Sequence, residues 1–251
     1  MNNGKYWSDS WNPLIVKGGG YHCTKISPGC AHCWAETINL RFGNKIPYDN
    51  RKVEFEIDEK VLEKPSRWHK HRTIFVCDLC DICHVNISTG HIEAIIAAMA
   101  MRRQHTFLVL TKRPARMKYI FDHIVYESLQ VEYSVVSGNP HPAIPDAWPI
   151  PNIWLGATVC NQQEADEKIP ILLSIPAAQR WVSIEPCLGP VGLGYTFTKA
   201  YVEGGGKPAL DWIVLGCESG PGRRPMKLEW AESIVEQCQN AGVPVWVKQL
   251  D

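Results

Sequence analysis

Residues 106–124 read TFLVLTKRPARMKYIFDHI, an apolar run followed by a helical pattern. The run from Thr106 to Leu110 is apolar almost throughout, which is typical of a strand buried on both faces of a parallel sheet. Pro114 suits the first position of a helix, because the N–H that proline lacks would be unpaired there anyway. The apolar residues that follow recur at helical spacing, namely Met117, Ile120, Phe121 and Ile124. This segment therefore predicts one strand and one helix that covers the sheet.

The same alternation recurs on both sides of this segment. Further strand-like runs occupy residues 73–77, 153–157, 180–184, 212–216 and 244–247. Two more helical stripes consist of Ile92, Ile95, Ile96 and Met99, and of Ala231, Ile234, Val235 and Cys238. A strand, a helix and another strand about every thirty residues are typical of right-handed βαβ units. We expect an α/β fold in which six to eight mostly parallel strands form a full or partial TIM-like (β/α) barrel, with a doubly wound open sheet as the alternative.

The length and charge of the chain limit the number of domains, the partners and the location that it can have. A chain of 251 residues fits one barrel domain spanning residues 1–251, with loop insertions near 43–72 and 138–152. Lysine and arginine number 26, as do aspartate and glutamate, so no overall field attracts the molecule to nucleic acid or to an anionic membrane. The N-terminus lacks a signal-like apolar run, and no stretch approaches the roughly 20 apolar residues of a membrane span. We expect a cytoplasmic protein without membrane contact.

Three cysteines form the most specific motif. Cys23, Cys30 and Cys33 make a C-x6-C-x2-C pattern, and a helix-compatible run at 34–42 follows it. Three thiolates can bind three irons of a 4Fe-4S cube and leave the fourth iron open to a ligand that is not protein, such as S-adenosylmethionine. The same spacing fits a structural zinc site with His22 or His32 as the fourth ligand. The spacing alone leaves the cluster and the zinc site equally open.

Seven blocks of the chain carry a resemblance to a known family. They are WNP at 11–13, CTKISPGCAHCWAE at 23–36, HTFLVLTKRPARM at 105–117, IWLGATV at 153–159, SIEPCLGPV at 183–191, ESGPGRRPM at 218–226 and VKQ at 247–249. Together they resemble a phage-associated, three-cysteine, radical-SAM-like family of phage and bacterial proteins long without a defined function. The resemblance implies a radical-SAM-type barrel in which the three cysteines hold a 4Fe-4S cluster beside S-adenosylmethionine. An aromatic residue commonly precedes the last cysteine of radical-SAM proteins, whereas this chain has His32 there and Trp34 just after.

The resemblance also implies an activity. A reduced cluster would cleave S-adenosylmethionine to methionine and a 5′-deoxyadenosyl radical, which abstracts hydrogen from a substrate. The expected substrate is a nucleotide or DNA, and an isomerase or mutase acting on an amino-acid-modified thymidine is one candidate. The expected reductant is a protein of the flavodoxin or ferredoxin type. If a phage encodes the chain, we expect the protein to act in the host cytoplasm. A zinc-stabilised nucleic-acid-binding module and an inert barrel that binds a partner protein are the alternatives from other classes.

Polar residues follow several predicted strands, where the active site of a βα barrel gathers. The predicted cofactor-binding residues are Asp81, Thr111, Lys112, Thr158, Ser183, Glu185 and Glu218. Further candidates at the same strand ends are His84, Arg113, Ser219, Lys248 and Gln249. A single polar residue there is usually a turn or cap residue, but their convergence from six successive strands gives the set more weight than its members. The sequence assigns no catalytic residue.

A second group of cysteines lies at the end of the 73–77 run. Cys77, Cys80 and Cys83 form a C-x2-C-x2-C pattern, which could bind an auxiliary cluster, or zinc with His84 as a further ligand. We favour free thiols that pack as small apolar side chains, because the fourth cysteine of the ferredoxin spacing is missing.

A glycine-rich stretch, GCESGPG at 216–222, follows another predicted strand. Its glycines allow the backbone to approach a ligand closely and could bind an anion, although a plain tight turn fits equally well. Arg223 and Arg224 could extend such a site toward phosphate, but a solvated pair is the more ordinary interpretation.

Overall fold

Parallel strands form the main sheet of the protein. A computed structural model describes residues 4–194, 210–220 and 222–250. Its strands are β1 (Asp9–Trp11), β2 (Leu14–Val16), β3 (Phe55–Ile57), β4 (Thr73–Val76), β5 (Thr106–Thr111), β6 (Ile153–Thr158), β7 (Gln179–Ile184), β8 (Trp212–Gly216) and β9 (Val245–Gln249). Seven of them form one sheet in the order β1-β4-β5-β6-β7-β8-β9, in which every neighbouring pair is parallel. β2 and β3 pair antiparallel as a separate ribbon.

Helices connect the parallel strands. They are α1 (Trp34–Phe42), α2 (Glu59–Leu62), α3 (Thr89–Ala100), α4 (Pro114–His123), α5 (Tyr126–Ser137), α6 (Gln162–Leu173) and α7 (Leu228–Ala241). α3 is buried along nearly its whole length and packs against α5, which explains why its sequence is apolar on more than one side. No helix in the described ranges is both long enough and apolar enough to cross a membrane.

The main sheet curls into a half-barrel. Once the β2–β3 ribbon is set aside, spatial order follows chain order, so the sheet has no point at which the strand order reverses as it does in a doubly wound fold. The predicted α/β fold is therefore confirmed, with seven parallel strands in a partial barrel. All these strands point the same way, so their carboxyl ends meet at one rim.

The two faces of the sheet bury different side chains because strand residues alternate in direction. Residues such as Ile74, Phe107 and Leu155 belong to the main core, which includes buried residues of α3 and α4. The other set forms a small aromatic cluster around Phe75 and Trp181. The indole of Trp181 stacks on that of Trp212 with ring centroids 5.3 Å apart, an ordered layer of large rings on the concave side.

The N-terminal segment, residues 4–8, adds to this aromatic layer. The ring of Tyr6 lies edge-on to Trp181 and Trp212, with centroids 5.9 and 5.1 Å away. At the far edge of the sheet, Trp246 Nε1 donates to the carbonyl of Gly4 at 3.4 Å. The segment therefore spans the open side of the half-barrel from β1 toward β9.

The two predicted insertions differ in structure. The 43–72 region contains β3 and α2, and its strand pairs with β2, so it is an ordered addition to the barrel. The 138–152 region contains neither helix nor strand, but Ile144 and Ile150 are buried in the main core. Both regions pack against the same core as the barrel.

Gly156 in β6 makes a testable contribution to this packing. A Cβ at this position would lie 2.5 Å from Cε2 and 2.6 Å from Nε1 of the Trp181 indole, which the surrounding rings hold in place. We predict that Gly156→Ala lowers the free energy of unfolding by about 1–3 kcal/mol through overpacking. Urea denaturation measures this change. Gly189→Ala is the matched control, because its new Cβ would meet its nearest neighbour at 3.9 Å, and an equal loss in both variants would contradict the prediction.

Candidate functional site

A cavity of about 220 Å³ lies at the carboxyl ends of the strands. It brings together the three motif cysteines and all seven predicted cofactor-binding residues, namely Cys23, Cys30, Cys33, Asp81, Thr111, Lys112, Thr158, Ser183, Glu185 and Glu218. His32 and Trp34 also line it, on either side of the last motif cysteine. Residues more than 190 positions apart in sequence meet there because parallel strands deliver their ends to one rim.

The cysteine loop is a compact turn that covers this rim. Ser27 caps a short 3-10 helix, Pro28–Cys30, and its Oγ accepts from the amide of Gly29 at 3.2 Å. Gly29 packs so closely that a Cβ there would lie 2.3 Å from the Sγ of Cys160 and 3.0 Å from Cδ of Pro186. The loop then runs directly into α1, for which Cys33 is the N-cap residue.

Burial favours the protonated form of two motif thiols, those of Cys23 and Cys33. Desolvation is the main cause that raises the pKa of Cys23 to about 12, with the Asp81 carboxylate adding to it and Arg113 opposing it. Desolvation likewise raises the pKa of Cys33. These thiols therefore ionise at neutral pH only if a cation stabilises the negative charge of the thiolates.

Asp81 and Arg113 form a buried ion pair that anchors the start of the loop. Arg113 Nη1 lies 2.8 Å from Asp81 Oδ2, and about a tenth or less of either side chain is exposed. Nη2 of the same guanidinium donates to the hydroxyl of Thr24 at 2.7 Å and to its carbonyl at 3.0 Å, while Nη1 reaches Cys23 Sγ at 3.8 Å. A single side chain from the end of β5 thus positions the first motif cysteine.

Each oxygen of the Asp81 carboxylate accepts two hydrogen bonds. Its Oδ1 accepts from the Thr111 hydroxyl at 2.6 Å and from the amide of Cys83 at 2.9 Å. Its Oδ2 accepts from the amide of Lys112 at 3.1 Å in addition to the Arg113 guanidinium. Asp81 and Thr111, two of the predicted cofactor-binding residues, therefore also support the loop and the end of β5.

A second carboxylate and arginine hold the middle of the cysteine loop. Glu218 accepts from the backbone amide and from Nε of Arg224, each at 2.9 Å, and the Arg224 guanidinium is its main cause of a lowered pKa. Nη2 of Arg224 also donates to the carbonyl of Pro28 at 2.9 Å. Arg224 is therefore neither a solvated residue nor a free phosphate ligand. Within the glycine-rich stretch before it, Pro221 lies outside the described residues.

The opposite wall of the cavity carries Glu185. Its carboxylate lies 2.9 Å from Lys248 Nζ and accepts from the Ser183 hydroxyl at 3.1 Å. The hydroxyl of Tyr6 approaches it at 3.5 Å, and burial together with this carboxylate raises the pKa of Tyr6. Polar groups here lie beside the aromatic layer of the half-barrel, which gives the cavity one wall suited to a ligand with both polar and flat apolar parts.

Lys112 differs from the other charged groups of the cavity in the contacts that its side chain makes. In the described part of the chain, its ammonium forms no ion pair with a carboxylate and no hydrogen bond. Burial by itself would lower its pKa, but the nearby sulfurs of Cys30, Cys160 and Cys33, together with Asp81, raise it instead. A positive charge therefore faces the motif thiols.

The second group of cysteines is buried. Cys77, Cys80 and Cys83 all belong to the main hydrophobic core, and Cys77 and Cys80 also line the cavity. Cys77 has φ = 55°, an uncommon backbone conformation for a residue other than glycine. Across the described ranges, no three His, Cys, Asp or Glu side chains come close enough together to hold a single metal ion.

The histidines near the motif have separate environments. His84 Nε2 lies 3.1 Å from the Thr24 hydroxyl, and its Nδ1 accepts from the amide of Asn86 at 3.2 Å, so both ring nitrogens are engaged. His22 is buried between the rings of Tyr48 and His84, away from the cavity lining. Of the two histidines considered as zinc ligands, only His32 lines the cavity.

Sequence reasoning missed Tyr6, Trp7, Cys160 and the true role of Arg224. Tyr6 and Trp7 line the cavity from a segment with no strand or helix pattern, so no periodicity pointed to them. The small residue at position 29 was a usable signal for close packing, but the sequence does not say that Cys160 is the neighbour.

The fold and the cavity define an α/β half-barrel protein with a cysteine-lined site at the carboxyl ends of its strands. The chain belongs to the DUF5131 family, described as proteins of unknown function, whose family model matches residues 3–251. No curated protein matched the chain significantly, and no solved structure did.

The Asp81–Arg113 pair gives a second prediction. Arg113→Met removes one partner and leaves a buried carboxylate without its cation, so we expect the free energy of unfolding to fall by about 3–5 kcal/mol. Chemical denaturation of the metal-free protein measures the loss. Arg51→Met serves as the control, because the Arg51–Asp49 pair is solvent-exposed and its removal changes stability little. Equal effects of the two substitutions would contradict the role given to Arg113.

Proposed function

We propose that this protein is a radical S-adenosylmethionine enzyme that holds a 4Fe-4S cluster on Cys23, Cys30 and Cys33. The observation that carries the proposal is the convergence of three thiols and the Lys112 ammonium in a single cavity at the rim of a half-barrel; among the described residues this ammonium has no carboxylate partner. The radical-SAM type of barrel and the phage-associated family are part of the same proposal, supported by the sequence blocks that resemble that family.

The way in which the three motif cysteines line one cavity suits a 4Fe-4S cluster better than a single zinc ion. A structural zinc ion needs four ligands that all approach one point to about 2.3 Å or less. A 4Fe-4S cube needs one thiolate for each of three irons, so its cysteines surround a volume instead of meeting at a point. Cys23, Cys30 and Cys33 all line one cavity, and this shared lining is what supports a cluster in the proposal.

The charges around the thiols also fit such a group. Burial by itself disfavours the charged form of Lys112, because its ammonium has lost water, and negative charge nearby offsets that loss. Thiolates bound to iron would provide negative charge beside Lys112 and would remove the penalty that burial places on ionised Cys23 and Cys33. Arg113, close to the Cys23 sulfur, adds a second positive group on the same side.

The remaining surface of the cavity would hold S-adenosylmethionine. When bound beside a reduced cluster, this cofactor supplies methionine and a 5′-deoxyadenosyl radical by reductive cleavage. Asp81, Glu185 and Glu218 are each paired with a cation, so the groups that we assign to direct contact are the hydroxyls of Thr158 and Ser183. Tyr6 and Trp7 would exclude water from the reacting region, which protects a radical from unwanted donors.

The substrate in this proposal is a nucleotide or DNA. The support is the resemblance to a phage-associated family, within which isomerisation of an amino-acid-modified thymidine is the particular reaction that we propose. The protein then also needs a one-electron reductant of the flavodoxin or ferredoxin class. The chain as a whole has no net charge, so substrate contact would depend on local groups at the cavity mouth.

The decisive variants are alanine substitutions of the two groups of cysteines. We expect the wild-type protein, reconstituted anaerobically, to bind about four irons per chain and to form 5′-deoxyadenosine from S-adenosylmethionine with reductant. Cys23→Ala/Cys30→Ala/Cys33→Ala should abolish both. The matched control is Cys77→Ala/Cys80→Ala, which removes two thiols from the same cavity and should leave iron content unchanged. Circular dichroism verifies that each variant is folded.

Other outcomes point to the rival functions. A colourless protein with stoichiometric zinc would overturn the proposal in favour of a zinc-stabilised module. A colourless protein without metal would favour a partner-binding barrel. About eight irons per chain, halved in the Cys77/Cys80 control, would correct the role of the second group of cysteines.

A further inference from the structure

Helix α1 presents apolar side chains to solvent. Trp34, Ile38 and Phe42 are spaced four residues apart and therefore lie along one side of the helix, with 47%, 38% and 71% of their surface exposed. The buried residues of α1 are instead Ala35 and Asn39. A helix on a protein surface normally turns its large apolar residues inward, so this α1 stripe, Trp34–Ile38–Phe42, is an unusual exposed surface.

The α1 stripe begins at the proposed cluster site. Trp34 directly follows Cys33, which caps the helix, and the Trp34 side chain lines the cavity as well as facing solvent. Ile26, on the loop between Cys23 and Cys30, is another large apolar residue with half its surface exposed. The stripe therefore leads from the outside of the protein to the motif thiols over a short distance.

The sequence segment that contains the α1 stripe carries a net positive charge, although the chain as a whole is neutral. Residues 21–52 contain five lysines and arginines and two carboxylates. Those carboxylates are neutralised locally, Glu36 by Lys25 at 2.6 Å and Asp49 by Arg51 at 2.7 Å. The remaining cations, Arg41, Lys45 and Lys52, form no ion pair with any carboxylate of the described ranges.

We propose that the α1 stripe is the docking surface for an acidic one-electron donor protein of the flavodoxin or ferredoxin class. This inference rests on the proposed function, because a cluster on Cys23, Cys30 and Cys33 must be reduced by one electron before it can act. An apolar stripe with the Arg41 guanidinium against its Phe42 ring complements a partner that is acidic around an exposed redox centre. Electron-transfer contacts are small and transient, which a stripe of three residues can provide.

The composition of the stripe favours a protein over a nucleic acid. Nucleic acids bind flat rings that stack on bases. Here the central residue is the aliphatic Ile38, and the guanidinium of Arg41 lies over one face of the Phe42 ring, with its Cζ 4.8 Å from the ring centroid. Aliphatic and aromatic side chains beside an arginine are typical of the centre of a protein–protein interface.

The test compares two reductants of the reconstituted holoprotein. Stopped-flow absorbance follows cluster reduction by a purified reduced flavodoxin and, separately, by dithionite, which is small enough to need no docking surface. We expect Ile38→Asp/Phe42→Asp to slow flavodoxin-driven reduction at least about tenfold and to leave dithionite-driven reduction unchanged. Arg41→Glu should slow the flavodoxin reaction and reduce its dependence on ionic strength. Val131→Asp/Val135→Asp on α5, which replaces two exposed valines on another helix, should change neither rate.

The possible outcomes distinguish a failure of the proposed docking surface from a failure of the proposed function. If the α1 variants match the wild type with flavodoxin, the docking surface is wrong while the cluster stands. If they instead lose affinity for a single-stranded oligonucleotide and keep the flavodoxin rate, the stripe binds nucleic acid and the proposal is overturned. If the wild type contains no cluster that dithionite can reduce, the proposed function fails, and the docking proposal fails with it.

Discussion

The buried ion pair between Asp81 and Arg113 is the contact on which the candidate site depends. It joins the segment after β4, the end of β5 and the first motif cysteine through one guanidinium and one carboxylate. Removing both groups from water is expensive, and the cost is offset only because every oxygen of Asp81 accepts hydrogen bonds. Such a pair is better suited to fixing one arrangement of a loop than to adding stability.

The rest of the fold creates the position that this pair occupies. Parallel strands deliver their ends to one rim, and the aromatic layer beneath, around Trp181 and Trp212, makes a rigid floor. Glu218 and Arg224 repeat the arrangement at Pro28, so the cysteine loop is held at its beginning and at its middle by arginines that carboxylates orient. The loop and the rim therefore enclose a cavity whose lining is held by these two ion pairs.

Much of this architecture could be predicted from sequence. Thr106–Thr111 and Pro114–His123 follow the apolar run and the helical stripe closely, because long periodic segments report the face that must be buried. β1 was not predicted, since three residues, Asp-Ser-Trp, carry no pattern and depend on pairing with β4. α6 was hidden by Pro170 in its interior and by its acidic first turns.

The candidate site, like the fold, could be predicted only in part from the sequence. The rule that barrel sites gather at strand ends was enough to collect the seven predicted cofactor-binding residues, all of which line the cavity, because chain direction fixes which end of each strand reaches the rim. The pairing of Arg224 with Glu218 and of Lys248 with Glu185 could not be predicted, since it depends on side-chain direction across loops. Tyr6 and Trp7 enter the cavity from a segment that only the closed tertiary structure places there.

The central claim is that the three thiolates leave one iron free for S-adenosylmethionine. Electron spin resonance of the reduced protein tests it directly, with S-adenosylmethionine labelled isotopically at its amino nitrogen and carboxylate. The account predicts a change in the spectrum of the cluster on addition of the cofactor and hyperfine coupling to both labels. A cluster spectrum that is identical with and without S-adenosylmethionine, and that shows no coupling to either label, would contradict it.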